Sequence, residues 1–576
     1  MLKQRIAPPA VAAPTKPHAN KEKLRIIPLG GQEEVGRNMT VFEYGENIVI
    51  LDMGLQFPEE DMPGIDYIIP DTHYLKGKEK NIKAVILSHG HLDHIGAAPH
   101  ILPLLNWPPV FAGKLTLNLL KRRLEESNLL KYLKAKEIQS ADETLIFGQM
   151  KIGFFEVTHS IMDALGIIIQ TPVANVLDLG DWRYDLDPVS GSKTDFSHLA
   201  KWNTETIPSI LMMESLGATK EGSQLSEREV LNNMRNIIVK APGRIIVGTF
   251  SSMIERVGQL ISIAEELGKK VALDGYSMKT NMEIAKEIGY LKFNPSTLID
   301  VKNIHDYPKQ KIMVICTGAQ GEDRAVLMRI ANGEHKSVKI EKSDTIIFDS
   351  SIIPGNERTI QRLKDTLYRQ GADVIHKEIM EVHSGGHAFI EDIKLLINQV
   401  KPHYLLPIYA NHYLLREAAK VAETISFPKE NIFVLDNGNV AELDGQNLKV
   451  LKEKIPIDYV FVDGLGVGDI GEVVLRDRQL MSADGMFVII AVVDSQTGKV
   501  KGEPDVISRG FIYMKESKDL LRQTRKKIKE TIAKSAIPNS EINWVYIRNN
   551  LRDNIGKFLY TKTRRRPMIL PVIVEI

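Results

Sequence analysis

The chain has 576 residues, too many for one hydrophobic core, so several domains are expected. Its 74 Lys and Arg nearly cancel its 73 Asp and Glu, so net charge excludes no class of partner, and an anionic partner must meet a local basic surface. The single cysteine, Cys316, excludes an internal disulfide and leaves His and carboxylates as the metal ligands on offer.

Residues 1–21 carry Pro8, Pro9, Pro14 and Pro17 among alanines and lack an apolar signal core, so they read as a disordered tail. No run of 18 apolar residues predicts a membrane span, and a soluble, cytoplasmic protein is expected. Short apolar runs between Leu24 and Gly54 predict strands and hairpins. Further along, Ile82–Leu87 predicts a strand, Ile95–Leu105 has helical character, and Leu117–Glu137 predicts an amphipathic helix. Strands are expected again at Lys151–Val157, Gly166–Gln170 and Val173–Leu179, so residues 22–206 read as a layered α/β sandwich. From 207 to 375, continuous apolar strands alternate with helices, beginning with Ser209–Glu214; this is the pattern of a parallel, doubly wound sheet. From 376 to 450 the first style returns, with strands expected around Tyr404–Ile408 and Ile432–Leu435, so 207–375 reads as an insertion. Residues 456–576 read as a smaller α+β unit whose basic helix, Arg522–Lys534, presents a solvated face.

The densest chemistry lies in Ser88-His89-Gly90-His91-Leu92-Asp93-His94, directly behind the Ile82–Leu87 strand. His89 and His91 are two residues apart, so in an extended loop both rings point the same way. Gly90 is expected to permit a sharp backbone path. Asp93 and His94 follow at an expected helix start and can face a second ion. Imidazoles and carboxylates at this density suit zinc or manganese; the bland alternative is a solvated or pH-sensing turn. Asp52, His159 and Asp181 each end a strand, where side chains can converge. Singly, such residues are more often hydrogen-bonding or turn-forming groups.

This set resembles the metallo-β-lactamase superfamily, and the insertion resembles the β-CASP domain of its nucleic-acid-processing branch. Segments 30–38, 52–59, 64–71, 317–322, 354–357, 463–469, 475–478, 508–511 and 562–569 are similar to the ribonuclease J family. The resemblance implies an αββα sandwich in two parts (22–206 and 376–450), an inserted β-CASP domain (207–375) and a C-terminal domain (456–576) that supports oligomerisation as a homodimer or homotetramer, or with a paralogue. It implies two divalent ions, zinc with manganese as the alternative. His89, His91 and His159 would hold one ion, Asp93 and His94 the other, and Asp181 would bridge them. Asp52 would orient the His loop, Glu214 would be the acidic group of the insertion, and His387 would contact the scissile phosphate or protonate the leaving oxygen. Substrate would meet Phe250, Ser251 and Ser252 and the loop His383-Ser384-Gly385-Gly386-His387, whose glycines suit a phosphate nest. The implied activity is endonucleolytic and 5′→3′ exonucleolytic cutting of single-stranded RNA in RNA maturation and decay.

Two positions depart from the family pattern. Tyr409 stands where a further histidine ligand is expected, and His412 could compensate only in a rearranged loop. Tyr276 replaces the arginine of a Gly-Arg-Ser-Met pattern, with Ser277, Met278 and Asn281 retained. These changes admit a different reading, a weakly active or inactive RNA-binding subunit that partners an active paralogue.

Overall fold

In the computed structural model the described residues are 22–59, 61–190, 193–204, 206–322, 325–352, 356–535 and 542–576. The expected N-terminal tail, and Pro354 and Gly355 of the 354–357 motif, lie outside them. The chain divides into two units, one of residues 1–56 and 69–459, the other of 57–68 and 460–576.

Two sheets lie face to face in the first unit. One has eight strands, in the order Leu448–Lys454, Asn439–Leu443, Leu24–Gly30, Met39–Tyr44, Asn47–Leu51, Ile82–Ile86, Val110–Ala112 and Ala135–Glu137. The other has six: Tyr404–Ile408, Ser209–Glu214, Asn175–Asp178, Leu165–Gln170, Met150–Glu156 and Thr144–Phe147. Leu24, Ile26 and Phe42 of the first sheet share a core with Ile152, Ile167 and Val176 of the second. The helices Ile390–Val400 and His412–Thr424 cover the outer face of the six-stranded sheet through Ile393, Leu396, Ala418 and Ala422.

The strand Ser209–Glu214 corrects one expectation. It pairs in parallel with Asn175–Asp178 and with Tyr404–Ile408, so it belongs to the sandwich and not to the insertion. Ile210 and Met212 face the inter-sheet core while Leu211 and Met213 face the covering helices, which makes the strand apolar throughout. The predicted helix Leu117–Glu137 runs instead over Lys114–Glu126; Asn128 has a φ of 57° beyond its end, and Ala135–Glu137 is a strand. Ile432–Leu435 forms only a single bridge, Leu405 to Ile432.

The inserted segment builds a five-stranded, all-parallel sheet in the order Lys270–Asp274, Ile312–Cys316, Ile245–Thr249, Thr345–Asp349 and Asp373–Ile375. Its core takes in Leu115 and Ile161 from the sandwich, so the two layers share apolar packing.

In the second unit, Met486–Val493 lies between Asp505–Arg509 and Met568–Glu575. Phe487, Ile489 and Ala491 on one face of this strand pack against Leu521 and Ile528 of helix Lys518–Ser535 and Ile547 and Leu551 of helix Trp544–Thr563. No helix among the described residues is long and apolar enough to cross a membrane.

Candidate metal centre

The three parallel strands Asn175–Asp178, Ser209–Glu214 and Tyr404–Ile408 deliver Asp181, Glu214 and Tyr409 to one lip of the sandwich. The parallel pair Asn47–Leu51 and Ile82–Ile86 brings Asp52 and the His89–His94 loop to the same place. Asp52 has a φ of 63° and is fully buried. Its carboxylate accepts from the Ser88 backbone N–H at 2.8 Å, the Ser88 hydroxyl at 2.9 Å and His94 Nδ1 at 2.7 Å. That last bond puts a ring proton on Nδ1 and turns Nε2, which Asn38 Nδ2 approaches at 2.9 Å, towards Asp93 and Asp181. Gly90 keeps an ordinary φ, so it does not serve the sharp backbone path expected of it; a Cβ there would meet the tip of the Leu119 side chain, Cδ1, at 2.5 Å, which would have to shift.

Three imidazole nitrogens converge. His91 Nδ1 lies 3.0 Å from His89 Nε2 and 3.1 Å from His159 Nε2. Asp181 Oδ2 is 3.9 Å from His89 Nε2 and 3.7 Å from His159 Nε2. Ligands roughly 2.0–2.1 Å from a tetrahedral zinc stand about 3.3 Å from one another, so this spacing fits one ion. Across the carboxylate, Asp181 Oδ1 is 3.5 Å from His94 Nε2, which is 3.6 Å from Asp93 Oδ2. Asp181 Oδ1 is buried and, among the described residues, has no hydrogen-bond partner, as an atom kept for a cation would be. The four histidines and two aspartates therefore form two groups that could each hold an ion and that share Asp181.

The electrostatics differ between the two sets: burial opposes the charge of His94, yet Asp181, Asp52 and Asp93 hold its pKa well above the ordinary value, whereas the three histidines of the first set are pushed down. Burial, reinforced by the neighbouring imidazoles, pushes the pKa of His89 well below the ordinary value. His159 is also pushed down, with burial the largest cause, and His91 falls to about 4, again chiefly through burial. Neutral rings are what a cation needs. Burial opposes ionisation of Asp181, but His94, His387 and His159 hold its carboxyl well below the usual range.

His387 faces the cluster from the loop after the inserted sheet. Its Nδ1 lies 3.3 Å from Glu214 Oε1 and 4.0 Å from Asp181 Oδ2. Burial opposes its charge, yet Glu214 and Asp181 raise its pKa to about 9. Glu214 Oε2 accepts from the backbone N–H of Leu216 at 2.8 Å and Oε1 from that of Ala388 at 3.3 Å, so it also holds the loop. Gly386 lies against His159: its carbonyl accepts from His159 Nδ1 at 2.7 Å, and a Cβ there would stand 2.3 Å from His159 Cε1.

Two residues of the expected substrate nest face inward instead. His383 is 2% exposed, its Nδ1 2.9 Å from Asp349 Oδ1. Ser384 is fully buried; its hydroxyl donates to Leu225 O and accepts from Arg183 Nη1, both at 2.7 Å. Both are spent on internal bonds. Phe250 and Ser251 line a cavity of about 240 Å³ with Thr249, Ser277, Thr317 and Glu322 at the C-terminal ends of the inserted strands. Ser252 is half-buried beside them.

At the two departures, Tyr409 is buried 5.5 Å from the His94 ring, measured between centroids, with a φ of 58°. Burial, then Asp178, Asp52 and Asp181, push its phenol well above the ordinary pKa. His412 does not compensate: its Nδ1 lies 3.6 Å from Glu33 and 3.7 Å from Asp436 in a separate, exposed group. The Tyr276 hydroxyl accepts from Arg122 Nη2 at 2.8 Å.

Residues 33–181 match the metallo-beta-lactamase superfamily, 242–367 the family Ribonuclease J, beta-CASP domain, and 473–576 the family Ribonuclease J C-terminal domain. The chain is 36% identical to Ribonuclease J2 of Bacillus subtilis, covering 97% of this chain and 99% of that protein. It is 37% identical to Ribonuclease J 1 of Streptococcus pyogenes, covering 95% and 97%. A crystal structure of a protein of unknown function from Enterococcus faecalis shares the fold, with a TM-score of 0.51 at 16% identity over 74% of this chain and all of that one. With a metallo-β-lactamase sandwich, a β-CASP domain and the matching C-terminal domain in one chain, the protein belongs to the ribonuclease J family.

Proposed function

We propose that this chain is a two-metal ribonuclease acting on single-stranded RNA by endonucleolytic and 5′→3′ exonucleolytic cutting, in the maturation and decay of cytoplasmic RNA. The observation that carries the reading is the convergence of His89 Nε2, His91 Nδ1 and His159 Nε2 on Asp181, with Asp93 and His94 on its other oxygen. Zinc fits the nitrogen-rich set, with manganese as the alternative. Two divalent ions held there would neutralise the phosphodiester and lower the pKa of a water towards 7. Asp52 keeps His94 in the right tautomer, and Gly386 does the same for His159. With Nδ1 turned to Glu214, His387 Nε2 is the atom that gives a proton to the departing oxygen. Gly385 and Gly386, with the hydroxyls of Ser251 and Ser252, are the groups we assign to the RNA backbone, and Phe250 offers a face for a base. The active species is a homodimer or homotetramer, or a complex with a paralogue.

The test is incubation of the purified protein with 5′-monophosphorylated and 5′-triphosphorylated RNA, with Asp181→Ala beside it. Mononucleotide release from the monophosphate form, lost in the variant, is expected; equal activity in the variant refutes the metal assignment. A second reading, a weakly active subunit beside an active paralogue, is favoured by the buried neutral phenol of Tyr409 near His94. Metal content separates the two: two ions per chain support the nuclease, and none supports the subunit.

A further inference from the structure

Arg183 stands two residues beyond Asp181 and is buried. Its backbone N–H donates to Thr158 O at 2.8 Å, beside His159. Its Nη1 donates to Ser384 Oγ at 2.7 Å and to Gly385 O at 3.2 Å; its Nη2 reaches Asp185 Oδ2 at 3.4 Å and Glu227 Oε2 at 3.3 Å. The chain of ion pairs continues. Glu227 accepts from Arg256 Nε at 2.6 Å, Arg256 Nη1 donates to Asp349 at 2.6 Å, and Asp349 faces His383 Nδ1 at 2.9 Å. The turn 383–385 is thus gripped at both ends by one buried network.

The next residue, Gly386, supplies the carbonyl that orients His159. A turn with two consecutive glycines has little preference of its own for where that carbonyl points. Buried ion pairs are poor stabilisers relative to apolar packing, but they do define geometry. Only a planar guanidinium can hold a hydroxyl, a carbonyl and two carboxylates at once. We propose that Arg183 is a positioning residue: it clamps the His383–Gly386 turn onto His159 and thereby sets the affinity and geometry of the metal cluster. The inference rests on the metal reading above.

The test is titration of the metal-stripped, full-length protein with Co(II), followed by its d–d absorption. The variants are Arg183→Met, Arg183→Lys, Ser384→Ala and, as a control, Arg244→Met. Arg244 is an equally buried arginine, 2.6 Å from Asp344, elsewhere in the insertion. Arg183→Met should bind Co(II) roughly 10- to 100-fold more weakly with an altered spectrum, Arg183→Lys should fall between it and the wild type, and Ser384→Ala should weaken binding several-fold. Arg244→Met should lose stability yet keep the wild-type spectrum and affinity. Wild-type binding in Arg183→Met, or in Ser384→Ala should the first variant not fold, overturns the clamp. So does an equal spectral change in Arg244→Met. A wild-type chain that takes up no Co(II) overturns the metal reading and the clamp together, whereas uptake indifferent to Arg183 overturns the clamp alone.

Discussion

Replacing Glu227 by glutamine removes the carboxylate that stands between two buried arginines. Burial alone would raise its pKa, but Arg256 and Arg183 lower it from the ordinary 4.5 to about 2. The folded chain therefore binds this proton less readily than the unfolded chain. The resulting stabilisation is complete above pH 4.5 and is lost as the pH falls towards 2. At about 1.4 kcal/mol per unit the contribution is on the order of 3 kcal/mol. The variant should lose about that much at pH 7, because Arg183 and Arg256 then lose the carboxylate they share, Arg183 keeping Asp185 at 3.4 Å and Arg256 keeping Asp349 at 2.6 Å. Urea unfolding of wild type and Glu227→Gln at pH 7 and pH 3, followed by a probe in the sandwich or the insertion, measures both quantities. The gap should be wide at pH 7 and narrower at pH 3. Equal midpoints at pH 7, or a gap that does not narrow in acid, refute the reasoning.

Gly386→Ala places a methyl 2.3 Å from His159 Cε1, so the ring must move; metal per chain should fall, with a melting temperature close to that of the chelated wild type, and unchanged stoichiometry would remove His159 from the ligand set. Tyr409→His restores an imidazole next to His94 at a φ of 58°, which histidine tolerates better than most residues. Retention of a second ion after dialysis should rise, as read by elemental analysis, and no rise would separate position 409 from the Asp93–His94 set. Chelation should lower the melting temperature by about 3 °C for each ion lost, since an ion at 100 times its Kd contributes roughly 2.7 kcal/mol and a unit this long shifts by about 1 °C per kcal/mol. Readdition of zinc or manganese should reverse the shift, and a melting curve blind to chelator would show that the cluster binds neither.

The residues that converge at the candidate site are legible because they are either contiguous, as in His89–His94, or attached to strand ends, as with Asp52, His159 and Asp181. What escaped has a common physical origin. Arg183, Glu227, Arg256 and Asp349 lie far apart in the chain, and three of them look like ordinary charges of a helix or loop. Only folding shows that they are buried together. His383 and Ser384 sit in a Gly-rich loop, and the pattern that suggests a phosphate nest is silent about which side chains turn inward. The strand Ser209–Glu214 is buried on both faces, so its composition suits either sheet and says nothing about which one. The overrun of the helix to Glu137 came from apolar residues continuing past the left-handed Asn128.

The bond from His159 to Gly386 joins residues 227 positions apart. At roughly 5–20 residues per second of synthesis, the histidine waits about 10–50 s on the ribosome for the carbonyl that orients it. Over that interval the nascent sandwich has His89, His91, His159 and Asp181 but neither the glycine turn nor His387. Order of synthesis thus makes the cation pocket one of the last parts of the first unit to mature, and a prematurely released chain would carry most of the ligands with nothing to hold them in register.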